Sequence, residues 1–147
     1  MSLFFKRRAW YSTGLAFECT RCGQCCAGPN EGYVWISTQE VQALADFLSL
    51  SMEKLHQLYL RNVEGQLSLL ESPATKDCIF LHRDEQGLSL CRIYPVRPRQ
   101  CRNWPFWPAN LRSCSTWCLA GTRCPGINRG VTHGFQEIQQ KKKLTDP

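Results

Sequence analysis

Four cysteines within eight residues constrain this chain more than any other feature of its sequence. Residues 19–26 read CTRCGQCC, which is the spacing C-x2-C-x2-C-C. A two-residue spacing lets the backbone wrap around one metal ion or cluster while its N–H groups point at sulfur. Cysteines that act as small buried hydrophobic residues, or as disulfide partners, need no such spacing. The segment therefore predicts a metal site.

The composition indicates a small folded protein that keeps its thiols reduced. The chain has 147 residues, of which 43% are hydrophobic, 20% are charged and ten are cysteine. This length predicts one domain, residues 1–147. No apolar run approaches the ~18 residues of a membrane span, and the basic start lacks a clear signal cleavage site. We expect a cytoplasmic protein without membrane contact, in which cysteines bind metal rather than form disulfides.

Six more cysteines follow at wide spacings, at positions 78, 91, 101, 114, 118 and 124. These spacings form a site only if the fold returns the residues to the first cluster. Closing a loop of about 50 residues between Cys26 and Cys78 costs roughly a few kcal/mol. Structural metal binding supplies about 10–16 kcal/mol, so the long loop is no obstacle.

The spacing favours an iron–sulfur cluster of the 4Fe–4S type, with zinc as the alternative. A zinc ribbon needs two C-x2-C knuckles, whereas C-x2-C-x2-C is the bacterial ferredoxin run, which a Cys-Pro completes. Cys124-Pro125 is the Cys-Pro of this chain. One candidate cluster therefore uses Cys19, Cys22, Cys25 and Cys124. A second site is left with Cys26, Cys78, Cys91 and Cys101. The adjacent Cys25 and Cys26 could exchange roles.

Basic residues are concentrated in the second half of the chain. Residues 1–85 carry a net charge of −2, whereas residues 86–147 carry +8. Residues 86–136 contain seven arginines and no acidic residue. These arginines could form a nucleic-acid interface, or they could balance the charge of metal-bound thiolates. Because several of them adjoin cysteines, we favour charge balance, and we expect Arg97 and Arg99 to face the cysteines from an extended chain.

The hydrophobic pattern predicts a small, metal-stabilised α+β fold. A capping box at Ser37 begins one short helix, and Ser51 begins a second helix that Gly65 ends. Residues 78–94 predict a β-hairpin with a glycine-containing turn. From residue 95 onward the repeated prolines predict a loop-rich, Pro/Arg half that metal holds in order. We expect a core at residues 15–130, with an arm at 1–14 and a tail at 136–147.

Six stretches of the chain resemble one family. They are FECTRCGQCC at 17–26, GYVWI at 32–36, CIFL at 78–81, CRIYPVRPRQCR at 91–102, WPFW at 104–107 and CPGI at 124–127. They resemble the CxxCxxCC, or YkgJ-type, cysteine-cluster family, which is described as zinc- or iron-chelating. The resemblance implies eight metal ligands: Cys19, Cys22, Cys25, Cys26, Cys78, Cys91, Cys101 and Cys124. A flagellin lysine methylase carries a related cysteine domain.

These observations predict a metal-binding protein that serves redox transfer or metal handling. One alternative is a structural zinc module that binds a protein or nucleic acid through its arginines. Another is a component of a protein-modifying enzyme of the lysine methylase type. The sequence assigns no catalytic residue. We keep His82 as a reserve ligand, leave Cys114 and Cys118 outside the site, and expect the aromatic residues at 104–107 to shield the cluster.

Overall fold

The computed structural model describes residues 7–28 and 32–144, and within them it has five helices and three two-stranded antiparallel sheets. The predicted α+β class is therefore confirmed. The helices are α1 (Thr38–Leu48), α2 (Met52–Tyr59), α3 (Arg99–Asn103), α4 (Cys114–Gly121) and α5 (Phe135–Lys143). The strands are β1 (Leu15–Phe17), β2 (Leu60–Val63), β3 (Gln66–Leu69), β4 (Leu81–Arg83), β5 (Ser89–Cys91) and β6 (Ile127–His133).

Helix α1 begins where the sequence predicts. The Ser37 side chain accepts a hydrogen bond from the Glu40 N–H at 3.2 Å, and the Glu40 carboxylate accepts one from the Ser37 N–H at 2.9 Å. This reciprocal capping box satisfies two N–H groups that the helix itself leaves without partners. Val41, Leu44 and Ala45 are buried one turn apart. Helix α1 thus places an aliphatic stripe in the first hydrophobic core.

Helix α2 is shorter than predicted. Ser51 caps it as expected, but it ends at Tyr59, and Gly65 lies instead in the turn between β2 and β3. Gly65 has a left-handed φ of +87°, which the tight turn of the β2–β3 hairpin requires. It therefore serves this turn and not the end of α2, which lies six residues earlier. Within α2, Leu55 is fully buried, whereas Met52 and Leu58 are exposed.

The first core is continuous in sequence. It contains Ile36, Val41, Leu44, Ala45, Leu55, Leu60, Leu69, Phe80 and Ile93. The β2–β3 hairpin extends to residues 34–36, where the Ile36 N–H bonds the Leu67 carbonyl at 3.1 Å. The predicted hairpin is confirmed as β4 paired with β5, with Leu81 opposite Cys91. Cys78 and Cys91 pack against this core at its edge.

The second core joins the two ends of the chain. It contains Tyr11, Phe106, Leu111, Trp117, Cys124, Ile127 and Ile138. Strand β1 pairs with β6, with Leu15 opposite His133, which places residues 15–17 beside residues 127–133. The prediction of a loop-rich half is not confirmed, because α3, α4, β6 and α5 all follow residue 95. The prolines at 105 and 108 lie between helices rather than within them.

The segments expected to be an arm and a tail contribute to this second core. Tyr11 is buried, and its hydroxyl donates a hydrogen bond to the Gln139 side chain at 2.6 Å. Ile138 is fully buried on α5, and the lysines at 141–143 belong to the last turn of that helix. Residues 1–6 of the expected arm and 145–147 of the expected tail lie outside the described residues.

Candidate metal centre

The cysteine motif lies between the two cores, and backbone hydrogen bonds connect it to segments of both. On one side the Cys26 carbonyl accepts from the Cys78 N–H at 2.7 Å, and the Arg21 carbonyl accepts from the Ser89 N–H at 3.2 Å. On the other side the Glu18 N–H bonds the Gly126 carbonyl at 3.1 Å. Residues 19–28 include no buried residue. Backbone hydrogen bonds, rather than buried side chains, therefore hold this segment.

Gly28 ends the segment in a close backbone contact. Its N–H donates to the Asp77 carboxylate at 2.8 Å. A Cβ atom at this position would lie 1.9 Å from the Thr75 carbonyl oxygen, which is far inside contact distance. Only glycine therefore lets the motif lie this close to the loop that leads into Cys78.

A cavity of about 240 Å³ opens beside the motif, between the two cores. Six of the eight predicted ligands line it: Cys19, Cys25, Cys26, Cys78, Cys91 and Cys101. They come from the motif, the β4–β5 region and α3, which are up to 82 residues apart in sequence. Trp104 and Trp107 form part of the wall, with ring centroids 4.7 Å apart and nearly perpendicular planes. The fold therefore brings the wide-spaced thiols to the motif.

Cys22 and Cys124 do not line this cavity. Cys22 is half-buried, and its carbonyl accepts from the Ser89 hydroxyl at 3.2 Å. Cys124 is buried in the second core. The Gly126 carbonyl, two residues after Cys124, accepts a hydrogen bond from the Glu18 N–H, and Glu18 directly precedes Cys19. This contact brings the backbone around Cys124 close to the start of the motif.

Backbone amides favour the thiolate form at three of the cysteines. The Arg21 N–H donates a hydrogen bond to the Cys19 sulfur at 3.4 Å. At Cys78 and Cys91 burial raises the pKa, and the backbone amides of Phe80 and Ile93 act in the opposite direction. Backbone N–H donors aimed at sulfur stabilise the negative charge that a thiolate carries when it binds metal.

Burial favours the neutral thiols at most positions in the pocket. It raises the pKa of Cys78 to about 11, and it also raises the pKa of Cys91 and of Cys101. The negative charges of neighbouring cysteines add to this rise at all three positions. Thiolates gathered here need a cation to hold them together.

Cys25 and Cys26 behave as a pair. Their sulfurs are 3.9 Å apart, and all ten cysteines are free thiols. The hydrogen bond from Cys26 lowers the pKa of Cys25 to about 7, and the charges of Arg97 and Arg123 act in the same direction. The same hydrogen bond raises the pKa of Cys26. Cys25 is therefore the thiol of this pair that ionises more readily near neutral pH.

The arginines divide between the pocket and a carboxylate on α1. Arg97 lines the cavity, and its charge opposes the burial that raises the pKa of Cys101. The prediction that Arg99 faces the cysteines is wrong, because Arg99 does not line the pocket. It begins α3, so the chain is helical rather than extended there, and its N–H donates to the Glu40 carboxylate at 2.7 Å. Arg102 also lies 3.9 Å from Glu40.

The remaining candidates are placed as follows. His82 is exposed and bonds the Arg92 guanidinium at 3.3 Å. Phe106 belongs to the second core, so only the two tryptophans of the aromatic stretch line the cavity. The sequence analysis missed Gln100, which lines the cavity and bonds the Trp35 N–H and the Tyr33 carbonyl. Its position directly before Cys101 is the sequence feature that could have predicted a place in the pocket.

The shared cavity is a pocket rather than a preformed ligand shell. Within residues 7–28 and 32–144, no group of three or more His, Cys, Asp or Glu side chains is spaced to hold a metal ion. Over the same residues, no helix combines the length and apolarity that crossing a membrane requires.

Comparisons with known proteins identify the family. The model of the CxxCxxCC family, described as "Putative zinc- or iron-chelating domain", matches residues 18–128, about three quarters of the chain. The chain belongs to this family, as its motifs predicted. An uncharacterized protein of Methanocaldococcus jannaschii is 30% identical over 96 residues, which cover 65% of this chain. The match spans 48% of that relative's length. No solved structure matches the chain.

Proposed function

We propose that the chain holds an iron–sulfur centre of the 4Fe–4S type in the pocket between its two cores, for electron transfer or metal handling. The observation that carries this proposal is the cavity of about 240 Å³, which six cysteines share. That volume is far larger than the ~10–15 Å³ that one water molecule needs in a cavity, so the cavity has room for a group of several atoms. A single zinc ion draws four ligands to about 2.3 Å and leaves no such space between them. A cluster carries its own iron and sulfide, and these fill the space between the protein ligands.

The donor set suits the same centre. The ligands are thiols, which are the usual ligands of iron–sulfur clusters, and the Cys19 sulfur accepts a backbone N–H bond. When bound, the cluster would supply one-electron redox chemistry. Arg97 would offset the negative charge of the thiolates, and Trp104 and Trp107 would limit the access of water. Charge and solvent access are two of the factors that set the potential of such a centre.

We propose that the eight ligands divide into two sets. The thiols of Cys26, Cys78, Cys91 and Cys101 line the cavity, which Cys19 and Cys25 of the motif also line. Cys78 and Cys101 each raise the pKa of Cys26, which indicates that the three groups are close. We propose these four as one site. We propose Cys19, Cys22, Cys25 and Cys124 as the second ligand set, linked by the backbone contact between Glu18 and Gly126.

Anaerobic purification followed by iron, zinc and acid-labile sulfide analysis tests the proposal. We expect a brown protein that contains iron and sulfide in similar amounts. The variant Cys91→Ser should lose the iron and sulfide held by the first ligand set, because serine replaces one of its four ligands. Ser115→Ala, an equally small change at an exposed position on α4, should keep both. A colourless protein that contains zinc without sulfide would establish the zinc alternative instead.

A further inference from the structure

Two cysteines lie outside the pocket and share one face of α4. Cys114 is the first residue of α4 and Cys118 follows one turn later, and both are exposed. Residues four apart on a helix are neighbours, with Cβ atoms about 5–6 Å apart. Trp117, only 1% exposed, anchors α4 in the second core. The two thiols are therefore presented to solvent from a fixed helix.

The spacing suits a bridging metal ion better than a disulfide. A disulfide needs Cβ atoms about 3.5–4.5 Å apart, which is shorter than the helical spacing. Two metal–sulfur bonds of about 2.3 Å span up to about 4.6 Å between sulfurs, which two side chains can reach by leaning together. Cys114 and Cys118 lie one turn apart on α4, within this reach, and the Cys114 thiol raises the pKa of Cys118.

Helix α4 reads CSTWCLAG and offers no carboxylate or imidazole beside its two thiols. Residues 86–136 contain no acidic residue, and their one histidine, His133, already bonds the Phe17 carbonyl and the Glu137 carboxylate. Sulfur-only sites select soft ions such as copper(I) over magnesium, calcium or manganese. Zinc would need two more ligands to complete its tetrahedron. Two thiolates suffice for a monovalent d10 ion, and the start of a helix favours the resulting negative charge.

We propose that Cys114 and Cys118 form a second metal site that binds one copper(I) ion as an exposed bis-thiolate. Binding is a ligand substitution: two S–H bonds break, two Cu–S bonds form and two protons pass to solvent, with no change of oxidation state. Exposure leaves the ion open to exchange with the thiols of another molecule. The site is separate from the iron–sulfur pocket and does not depend on it.

Copper(I) titration of the full chain tests this site. The protein, isolated anaerobically with its pocket centre in place, competes with a chromophoric copper(I) chelator. We expect the natural chain to take up one more equivalent than the variant Cys114→Ser/Cys118→Ser. Iron and sulfide content should be the same in both, which separates this result from the fate of the pocket proposal. Equal copper uptake by the two proteins would overturn the site.

A second variant tests the geometry at a constant number of thiols. Cys118→Ser combined with Leu119→Cys moves the second thiol off the shared face, and Leu119 is 69% exposed, so the exchange should be tolerated. We expect this variant to lose the same equivalent as the double serine variant. Full copper uptake by the shifted pair would overturn the proposal, even if the double serine variant failed to fold.

Discussion

The two hydrophobic cores of this protein are assembled in different ways. The first comes from one continuous stretch, residues 36–93, and is mainly aliphatic. The second joins residues as distant as Tyr11 and Ile138 and is rich in aromatic side chains, with Phe106 stacked on Trp117 at 5.7 Å. Between them, residues 19–28 have no buried residue. Each core closes through its own packing, so we expect the order of the motif to depend on metal more than that of either core.

Removing the central tryptophan of the second core should have the largest effect. Trp117 is 1% exposed, and its indole N–H bonds the Asn128 side chain at 2.9 Å. We expect Trp117→Ala to lower the free energy of unfolding by about 3–5 kcal/mol, and Leu44→Ala in the first core to lower it by about 2–5 kcal/mol. Urea unfolding followed by circular dichroism measures both. A loss below about 1 kcal/mol for Trp117→Ala would mean that the second core is not a real packing unit.

Adding one methyl group at Gly28 should disturb the motif and leave both cores intact. The new Cβ would collide with the Thr75 carbonyl oxygen, so the motif must shift, at a cost of about 1–3 kcal/mol. We expect Gly28→Ala to hold less iron and sulfide while its circular dichroism stays close to that of the natural chain.

Gly134→Ala is the matched control, because a Cβ there would meet nothing within 4 Å. Its metal content should equal that of the natural chain. If the two alanine variants hold equal amounts of iron, the close contact at Gly28 does not position the ligands.

Removing the pocket arginine should weaken metal retention without unfolding the protein. The positive charge of Arg97 favours the thiolate forms of Cys25, Cys91 and Cys101. Arg102 instead lies beside Glu40. We expect Arg97→Leu to lose iron to a chelator about 10-fold faster, as is typical when a group that supports metal ligands is removed.

Two further variants sharpen that comparison. Arg102→Leu removes the same charge outside the pocket and should lose iron at the natural rate. Arg97→Lys keeps the charge and should recover part of the retention. Identical rates for the two leucine variants would show that net charge alone, and not the position of Arg97, controls retention.

The smallest expected effect is a pH dependence at the edge of the second core. A hydrogen bond from His133 at 2.9 Å, aided by Lys141, lowers the pKa of Glu137. A carboxyl whose pKa is lowered by folding stabilises the protein above its unfolded pKa of about 4.3, and this contribution disappears as the pH falls below its folded pKa. Glu137 is largely exposed, so the contribution is below about 1 kcal/mol.

Unfolding of Glu137→Gln and the natural chain between about pH 3 and 7 measures this contribution. The variant should be slightly less stable at neutral pH and equally stable at the acid end. A difference that persists at the acid end would assign the effect to packing rather than to charge.

Sequence reasoning succeeded where the determinants are local. The capping box at Ser37 and the apolar stripe after it define α1 within a dozen residues, and the β4–β5 hairpin is equally local. The second core was missed because its contacts cross most of the chain, as the hydrogen bond from Tyr11 to Gln139 shows. The prediction of a loop-rich second half from its prolines also failed, because prolines that lie between helices leave the helices themselves intact.

The site followed the same rule. The spacing within residues 19–26 is local, so the sequence alone predicts the cysteine motif, and the family model covers it within residues 18–128. The partner of Arg99 could not be predicted, because Glu40 lies 59 residues away and reaches it only through the fold. The cavity volume, which carries the cluster proposal, is likewise a property of tertiary packing.

Hydrogen exchange with and without the metal tests most directly whether the motif, rather than either core, depends on metal. The full chain is compared before and after anaerobic removal of the centre. We predict that amide exchange rises in residues 19–28 and near Cys91 and Cys101, while α1 and α4 keep their protection. Unchanged exchange in residues 19–28, or loss of protection throughout the second core, would contradict this account.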